Sequence, residues 1–428
     1  MKKALISIMT ATLLLCLAAC MAVPEEESLP PSTEKMMRPP HTPKVFPRAA
    51  EEALPPTEKN IFPVGREGIY MSSVSAGPDG MMAILADGSM VSLGMIPGVR
   101  TEDPEVHGFS KVLNNEDNFD YVSCSQFGCF AIDEEGTLWG WGTIASWGNI
   151  TGVAHDAIPP YRLLTDVQMA SIRGGTYLAL RKDGTVWMWG EGSHGEFGKG
   201  SEFEVYSMAH PLTEPVKALE NVIYANFSGG NIYAIKEDNS LWIWGNLGVD
   251  PETEKMLYFD NPVCVMEDVK YAYGSLVLKT DGTLWEIDTD WLNMFDKPGR
   301  ALYSDVKAVQ IMEDVKLAKS EDYYSSDEMR FFAIKNDGSL WVWGCNLAAE
   351  TEEYVDEPVK IMDGVVYADS SEGNFAALKS NGELWAIGMP YKAISYPPDP
   401  ENASAEEELL YSRLPHKILD GVLVSGAF

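Results

Sequence analysis

Ala179-Leu180-Arg181-Lys182-Asp183-Gly184-Thr185-Val186-Trp187-Met188-Trp189-Gly190 is an alternating apolar run, a tight turn and a second alternating run. Period-two alternation on both sides of Asp-Gly is the pattern of a β-hairpin, because the turn needs residues that tolerate positive φ. The same twelve-residue pattern begins at Ala83, Ala131, Ala179, Ala234, Val277, Ala333 and Ala377. Successive starts lie 48, 48, 55, 43, 56 and 44 residues apart, the spacing of propeller blades and not of short helical repeats. Between the hairpins runs a second kind of segment, such as PVKALENVIYANF from Pro215 and PVKIMDGVVYADS from Pro358, in which two short strands flank a tight acidic turn. One full unit is therefore four antiparallel strands in an up-and-down meander. Seven units make an all-β fold, a seven-bladed β-propeller of four-stranded antiparallel blades over residues 61–428.

The hairpin consensus, an Ala-Leu-like strand, Asp-Gly, then Leu-Trp-x-Trp-Gly, resembles the repeat of the regulator of chromosome condensation family. The resemblance runs from about Ser72 to Phe428, and the run from Gly190 to Gly198 keeps part of the family's glycine-rich tail. It implies the propeller fold. The eukaryotic founder of that family is a nuclear exchange factor for a small GTPase that docks on chromatin through basic elements, whereas this chain carries a formal charge of −32 and no basic arm. Bacterial proteins with this repeat resemble protein-binding propellers, one kind being a secreted inhibitor of β-lactamase, and that analogy implies a binding role.

The N-terminus supports an exported protein. Lys2 and Lys3 precede the apolar stretch from Ala4 to Leu17, and Leu17-Ala18-Ala19-Cys20 follows. The apolar run is too short to span a bilayer and has the layout of a cleavable signal. A Cys placed directly after Leu-Ala-Ala resembles the lipobox of bacterial lipoproteins, which implies a signal peptide over residues 1–19 and a diacylglyceryl thioether on Cys20. Residues 20–60 carry nine prolines and no periodicity, so they read as a disordered tether. Flexible-chain scaling gives it an end-to-end distance on the order of 35 Å. The expected location is the bacterial cell envelope, anchored by lipid on the extracytoplasmic side of the membrane.

Charge and side-chain chemistry narrow the function. So acidic a chain is repelled by phosphate backbones, which argues against nucleic acid as a partner. The six His are scattered, with no HExxH, no GxSxG elbow and no Walker loop, so neither an enzyme nor a cofactor or metal site is expected. Cys124, Cys129, Cys264 and Cys345 lack the paired spacing of a zinc site. Cys124 and Cys129 flank a four-residue turn, where a disulfide is geometrically possible in an oxidising exterior. Ten of the 12 Trp lie in the second strand of a hairpin and are expected to fill the gaps between blades. The alternative is an envelope polysaccharide hydrolase or lyase, which needs two carboxylates meeting at the central channel.

Strand parity locates the expected binding face. In a meander, the Asp-Gly turns and the acidic turns fall on one face, and the connections of variable length fall on the other. Recognition usually sits on variable loops carried by a rigid scaffold. Candidate partner-binding residues there are Trp147, Trp291, Tyr323, Tyr324 and His194, and the expected partner of this monomer is a protein or a cell-wall component. Ring closure leaves a conflict. Ile69 to Ala76 looks like an inner strand of the first blade, yet Pro415 to Phe428 supplies two further strands, so one of the two is surplus to four strands per blade. The anchor is directly testable: fatty-acid labelling of cells should mark the wild-type protein and not Cys20→Ala, and equal labelling of both would exclude lipidation at Cys20.

Overall fold

The computed structural model describes residues 73–77, 80–94, 110–112, 118–125, 128–142, 161–192, 194–200, 211–228, 230–249, 256–287, 308–321, 330–344, 355–371, 374–386 and 415–424. All of them belong to one compact unit, Ala53–Phe428. They form 28 β-strands, numbered β1 to β28 along the chain, and include no helix. Every four consecutive strands pair into one antiparallel sheet, giving seven blades. The first strands of the blades are β1 (Val74–Gly77), β5 (Phe119–Ser125), β9 (Val167–Arg173), β13 (Val222–Ser228), β17 (Val269–Tyr273), β21 (Val315–Glu321) and β25 (Val365–Ser371). Each touches the first strand of the next blade, and β25 touches β1, so these strands form the closed inner ring.

The turns hold the ring together. In each blade the hairpin-turn residue has positive φ, for example Gly184 at 77°, and where the sequence offers Asn239 instead of Gly it adopts 67°. The tight turns before the inner strands do the same, as at Asp166, φ 58°. These conformations turn backbone groups sideways, toward the neighbouring turn. The carbonyl of each hairpin-turn residue accepts the N–H of the first inner-strand residue of the next blade: Gly88 from Phe119, Gly136 from Val167, Gly184 from Val222, Asn239 from Val269, Gly282 from Val315, Gly338 from Val365, and Gly382 from Val422, all at 2.8–3.1 Å. Each hairpin turn also donates an N–H to the tight turn preceding its own blade, as Lys182 does to Asp166 at 2.7 Å and Ala86 to Gly421 at 2.9 Å. The result is a continuous belt of backbone hydrogen bonds around one face.

The last bonds in that belt settle the closure. Val422 pairs with Leu85 just as Val167 pairs with Arg181 and Val269 with Lys279 in other blades. Leu423 N–H donates to Ile84 at 2.8 Å, Ile84 N–H donates to Ser73 at 2.8 Å, and Val74 then pairs with Ala83. The inner strand of the first blade is thus spliced from residues 421–424 and residues 73–77. Neither segment is surplus, which corrects the sequence-based count. The C-terminal pair splits instead: β28 (His416–Leu419) completes the last blade, and the residues after it begin the first.

Blades radiate from an axis, so the gap between neighbours widens outward, and the side chains grow to match. At the fourth position of the inner strands stand Val122, Ala170, Ala225, Ala272, Ala318 and Ala368, with Val74 their counterpart in the first blade, all buried. Farther out, in the third strand of each blade, the second Trp of the pair fills the gap: Trp141, Trp189, Trp244 and Trp343 are buried. Tyr177 stacks on Trp189 at 5.6 Å, and Phe130 of the preceding blade lies 6.2 Å from the same indole. The first Trp of each pair departs from the full core role expected of it. It is half-buried, and its Nε1–H donates to the turn, as Trp187 does to Thr185 Oγ1 and Trp242 to Ser240 Oγ, each at 2.8 Å. The Thr185 and Ser240 hydroxyls donate in turn to Asp183 and Asp238. Accepting those bonds holds the Asp238 carboxyl below its usual range. Trp189→Ala should therefore cost about 3–5 kcal/mol in denaturant unfolding, and Trp187→Ala clearly less. Equal costs would contradict this division of roles.

Candidate functional site

With one face closed by the turn belt, the opposite face carries the inter-strand connections that vary. Its best-described feature is the connection 191–200, between the third and fourth strands of the third blade, together with the hairpin of β15 (Leu241–Val249) and β16 (Met256–Met266) in the fourth. That hairpin is longer than its counterparts: pairing continues from Leu241 with Met266 out to Val249 with Met256. Glycines let the connection fold tightly. Gly190 has φ 96°, and a Cβ there would strike the Gly175 carbonyl at 2.1 Å; at Gly192 a Cβ would strike the buried Phe197 ring.

The connection reaches across to the next blade. Trp244 Nε1–H donates to the Glu196 carbonyl at 2.7 Å, and Gly200 N–H to the Asp260 carbonyl at 2.7 Å. His194, a sequence-predicted candidate, sits on this platform with its side chain 36% exposed and its ring edge-on to Tyr258 at 6.4 Å. Its backbone N–H donates to Glu196 Oε2 at 2.6 Å, and its Nδ1 lies 3.7 Å from Glu196 Oε1. Burial pushes the Glu196 carboxyl up, against the hydrogen bonds and the His194 charge that lower it. Burial likewise raises Glu191, and the Glu196 charge adds to it. A partly exposed imidazole beside an aromatic ring and two reluctant carboxylates offers a recognition surface with donors, acceptors and stacking area.

The other polar cluster lies on the inner ring. At the fifth inner-strand position stand Ser123, Ser171, Asn226, Tyr273, Lys319 and Asp369, with Ser75 their counterpart in the first blade, one per blade. Neighbours bridge the blades: Ser171 Oγ donates to Asn226 Oδ1 at 2.5 Å, and Lys319 Nζ to Asp369 Oδ1 at 2.5 Å. Tyr121 Oη, two positions earlier, donates to the Ala170 carbonyl at 2.6 Å. Tyr224, ring to ring with Tyr271 at 5.0 Å, has its hydroxyl pushed up to about 12 by burial. Asp369 is the single carboxylate in this row, and both of its oxygens are engaged, Oδ2 accepting the Ala76 N–H at 2.9 Å. The paired free carboxylates that a glycosidic mechanism requires are not found among the described residues of the row.

Cys124 and Cys129 stand directly opposite one another on β5 and β6 (Gly128–Asp133), with Cα atoms 4.2 Å apart and their sulfurs joined as a disulfide. Among the described residues no His, Cys, Asp and Glu group together as metal ligands would. Trp147, Trp291, Tyr323, Tyr324 and Cys20 lie outside the described residues. Sequence reading did not single out Glu196, Tyr258, Lys319 or Asp369. Asp369 left a trace, as the one charged residue of β25, whereas β21 carries Lys316 and Glu321 beside Lys319.

No family model matches the chain. The mitochondrial RCC1 domain-containing protein RUG3 of Arabidopsis thaliana is 31% identical over 132 residues, 29% of this chain and 28% of RUG3. HERC6 of Homo sapiens, a probable E3 ubiquitin-protein ligase, is 31% identical over 136 residues, 30% of this chain and 13% of HERC6. The matched stretch thus spans less than a third of either relative. The crystal structure of Prp20p from Saccharomyces cerevisiae, described with its binding properties to Gsp1p and histones, matches with a TM-score of 0.52 at 15% identity, covering 72% of this chain and 82% of Prp20p. The similarity in sequence and the similarity in fold agree: the chain carries RCC1-like repeats in a seven-bladed β-propeller.

Proposed function

We propose that this RCC1-like repeat propeller is a lipid-anchored, extracytoplasmic binding protein, non-enzymatic, that recognises a protein partner through the face bearing its variable connections. The observation that carries the reading is the contrast between the two faces. On one, seven short turns are tied to each other by backbone hydrogen bonds from blade to blade, leaving little backbone free to adapt or bind. On the other, the described connections range from the two residues between Ser228 and Asn231 to the glycine-shaped platform of 191–200. A rigid ring with one invariant and one variable face is a scaffold for recognition.

Two further features support it. Prp20p, which shares the fold, is a protein whose binding to other proteins has been characterised. The charge of −32 disfavours nucleic acid and suits a partner with a basic surface, steered by long-range attraction. The signal-like N-terminus and the proline-rich tether would display the propeller away from the bilayer, and an oxidising exterior is where the Cys124–Cys129 bond would persist.

The test compares the faces. The partner is recovered from cell envelope by crosslinking to residues 61–428, and affinity is then measured for His194→Ala, Trp147→Ala and Trp291→Ala against Lys182→Ala on the turn face. The proposal expects at least one of the first three to lose tenfold or more, about 1.4 kcal/mol, with Lys182→Ala unchanged. Loss confined to Lys182→Ala would move the site to the opposite face.

A further inference from the structure

We propose that Lys319 and Asp369 are a clamp that keeps the ring closed at its seam, and that the N-terminal half-strand β1 is the piece they retain. The seam is the one place where an inner strand is not covalently continuous. Its C-terminal half, residues 421–424, enters directly from the last blade, whereas β1 contributes only four residues and four ladder pairs to β2 (Gly80–Ile84). Its other edge has no strand beside it, so the backbone groups along that edge need partners from side chains.

Side-chain hydrogen bonds tie β1 to both flanking blades. On one side Ser75 Oγ accepts the Cys124 N–H at 2.9 Å, from the blade that carries the disulfide. On the other side the Ala76 N–H donates to Asp369 Oδ2 at 2.9 Å. Asp369 is fixed in turn by Lys319 of the blade before it, whose ammonium also donates to the Ser370 carbonyl at 3.2 Å and lies 4.8 Å from the Tyr273 ring centre. Four consecutive blades are thereby connected through one ion pair. Its side chains are only 17% and 9% exposed. Both carboxylate oxygens and at least two of the three ammonium protons are spent on protein partners, which leaves a latch and not a ligand site.

Position strengthens the assignment. In the row of seven equivalent residues, the two charged ones occupy the two blades immediately before the seam, while Ser171 and Asn226 bridge their blades with neutral groups. A desolvated ion pair loses most when one partner is removed, because the other is left charged and buried. Its loss should therefore be felt locally, at the short strand β1, whose Ala76 N–H it holds.

Amide hydrogen exchange on the whole chain tests the clamp. In Asp369→Ala the amides of residues 74–77 should exchange at least tenfold faster than in the wild type, while those of β13, on the far side of the ring, keep their rates. Unchanged rates at 74–77, or equal acceleration in all seven inner strands, would overturn the proposal. Should the variant not fold, the wild type in mild urea gives the same decision. Ala76 is expected to open by a sub-global event with a weaker denaturant dependence than Ala225, and opening of both only through global unfolding would refute the clamp.

Discussion

The structure depends on one repeated interaction, the backbone hydrogen bond from the first residue of an inner strand to the hairpin-turn carbonyl of the blade before it. Within a blade, antiparallel pairing satisfies backbone groups without reference to any neighbour. Between blades, side-chain packing attracts but does not fix height or angle. The turn-to-strand bond fixes both, because it exists only when two turns lie at the same level and face each other. Its requirement is local and severe: the residues at the turn must adopt positive φ, a conformation open to Gly and, with less ease, to Asn and Asp. That requirement explains why the turn sequences vary so little around the ring while the opposite connections differ in length and composition.

The same bond determines how function can be distributed. A face in which every turn is bonded to the next cannot change one loop without disturbing two blades. Among the described residues the other face carries no such repeating belt, and there the connection 191–200 has reached over to cap Trp244 and to present His194 beside Tyr258. Closure follows the same logic. Val422 makes the seventh inter-blade bond, to Gly382, so the C-terminal residues complete the belt before the N-terminal residues complete the strand. The belt thus sits at one end of the blades, and the recognition proposed above falls at the other.

Much of this was legible in the sequence, since hairpin, turn and Trp spacing all follow from period-two alternation and from residues that tolerate positive φ. Seven hairpins such as 179–190 specify seven blades without ambiguity. The splice at the seam was not legible, because a strand count takes 69–76 as one whole strand and 415–428 as two, whereas 415–428 supplies β28 and only part of a second strand, which 73–77 completes. The unequal fates of Trp187 and Trp189 were also hidden: alternation puts both on one face but does not say that the one nearer the turn bonds to it while the other is buried. Glu196 and Asp369 escaped for a different reason. Their partners are Trp244 and Ala76, 48 and 293 residues away, and only the closed ring brings them together.

Removing residues 421–428 tests the central claim most directly, since it deletes a few residues at the end of the chain and, on this account, the seventh bond of the belt. Among the described residues, three backbone hydrogen bonds and the buried Val422 are lost, at about 1 kcal/mol per bond and about 1.5–3 kcal/mol for the side chain. Urea unfolding of the shortened chain should show a destabilisation of about 4–6 kcal/mol. An unfolding midpoint equal to that of the full chain would show that the ring closes without the belt, and would contradict the account.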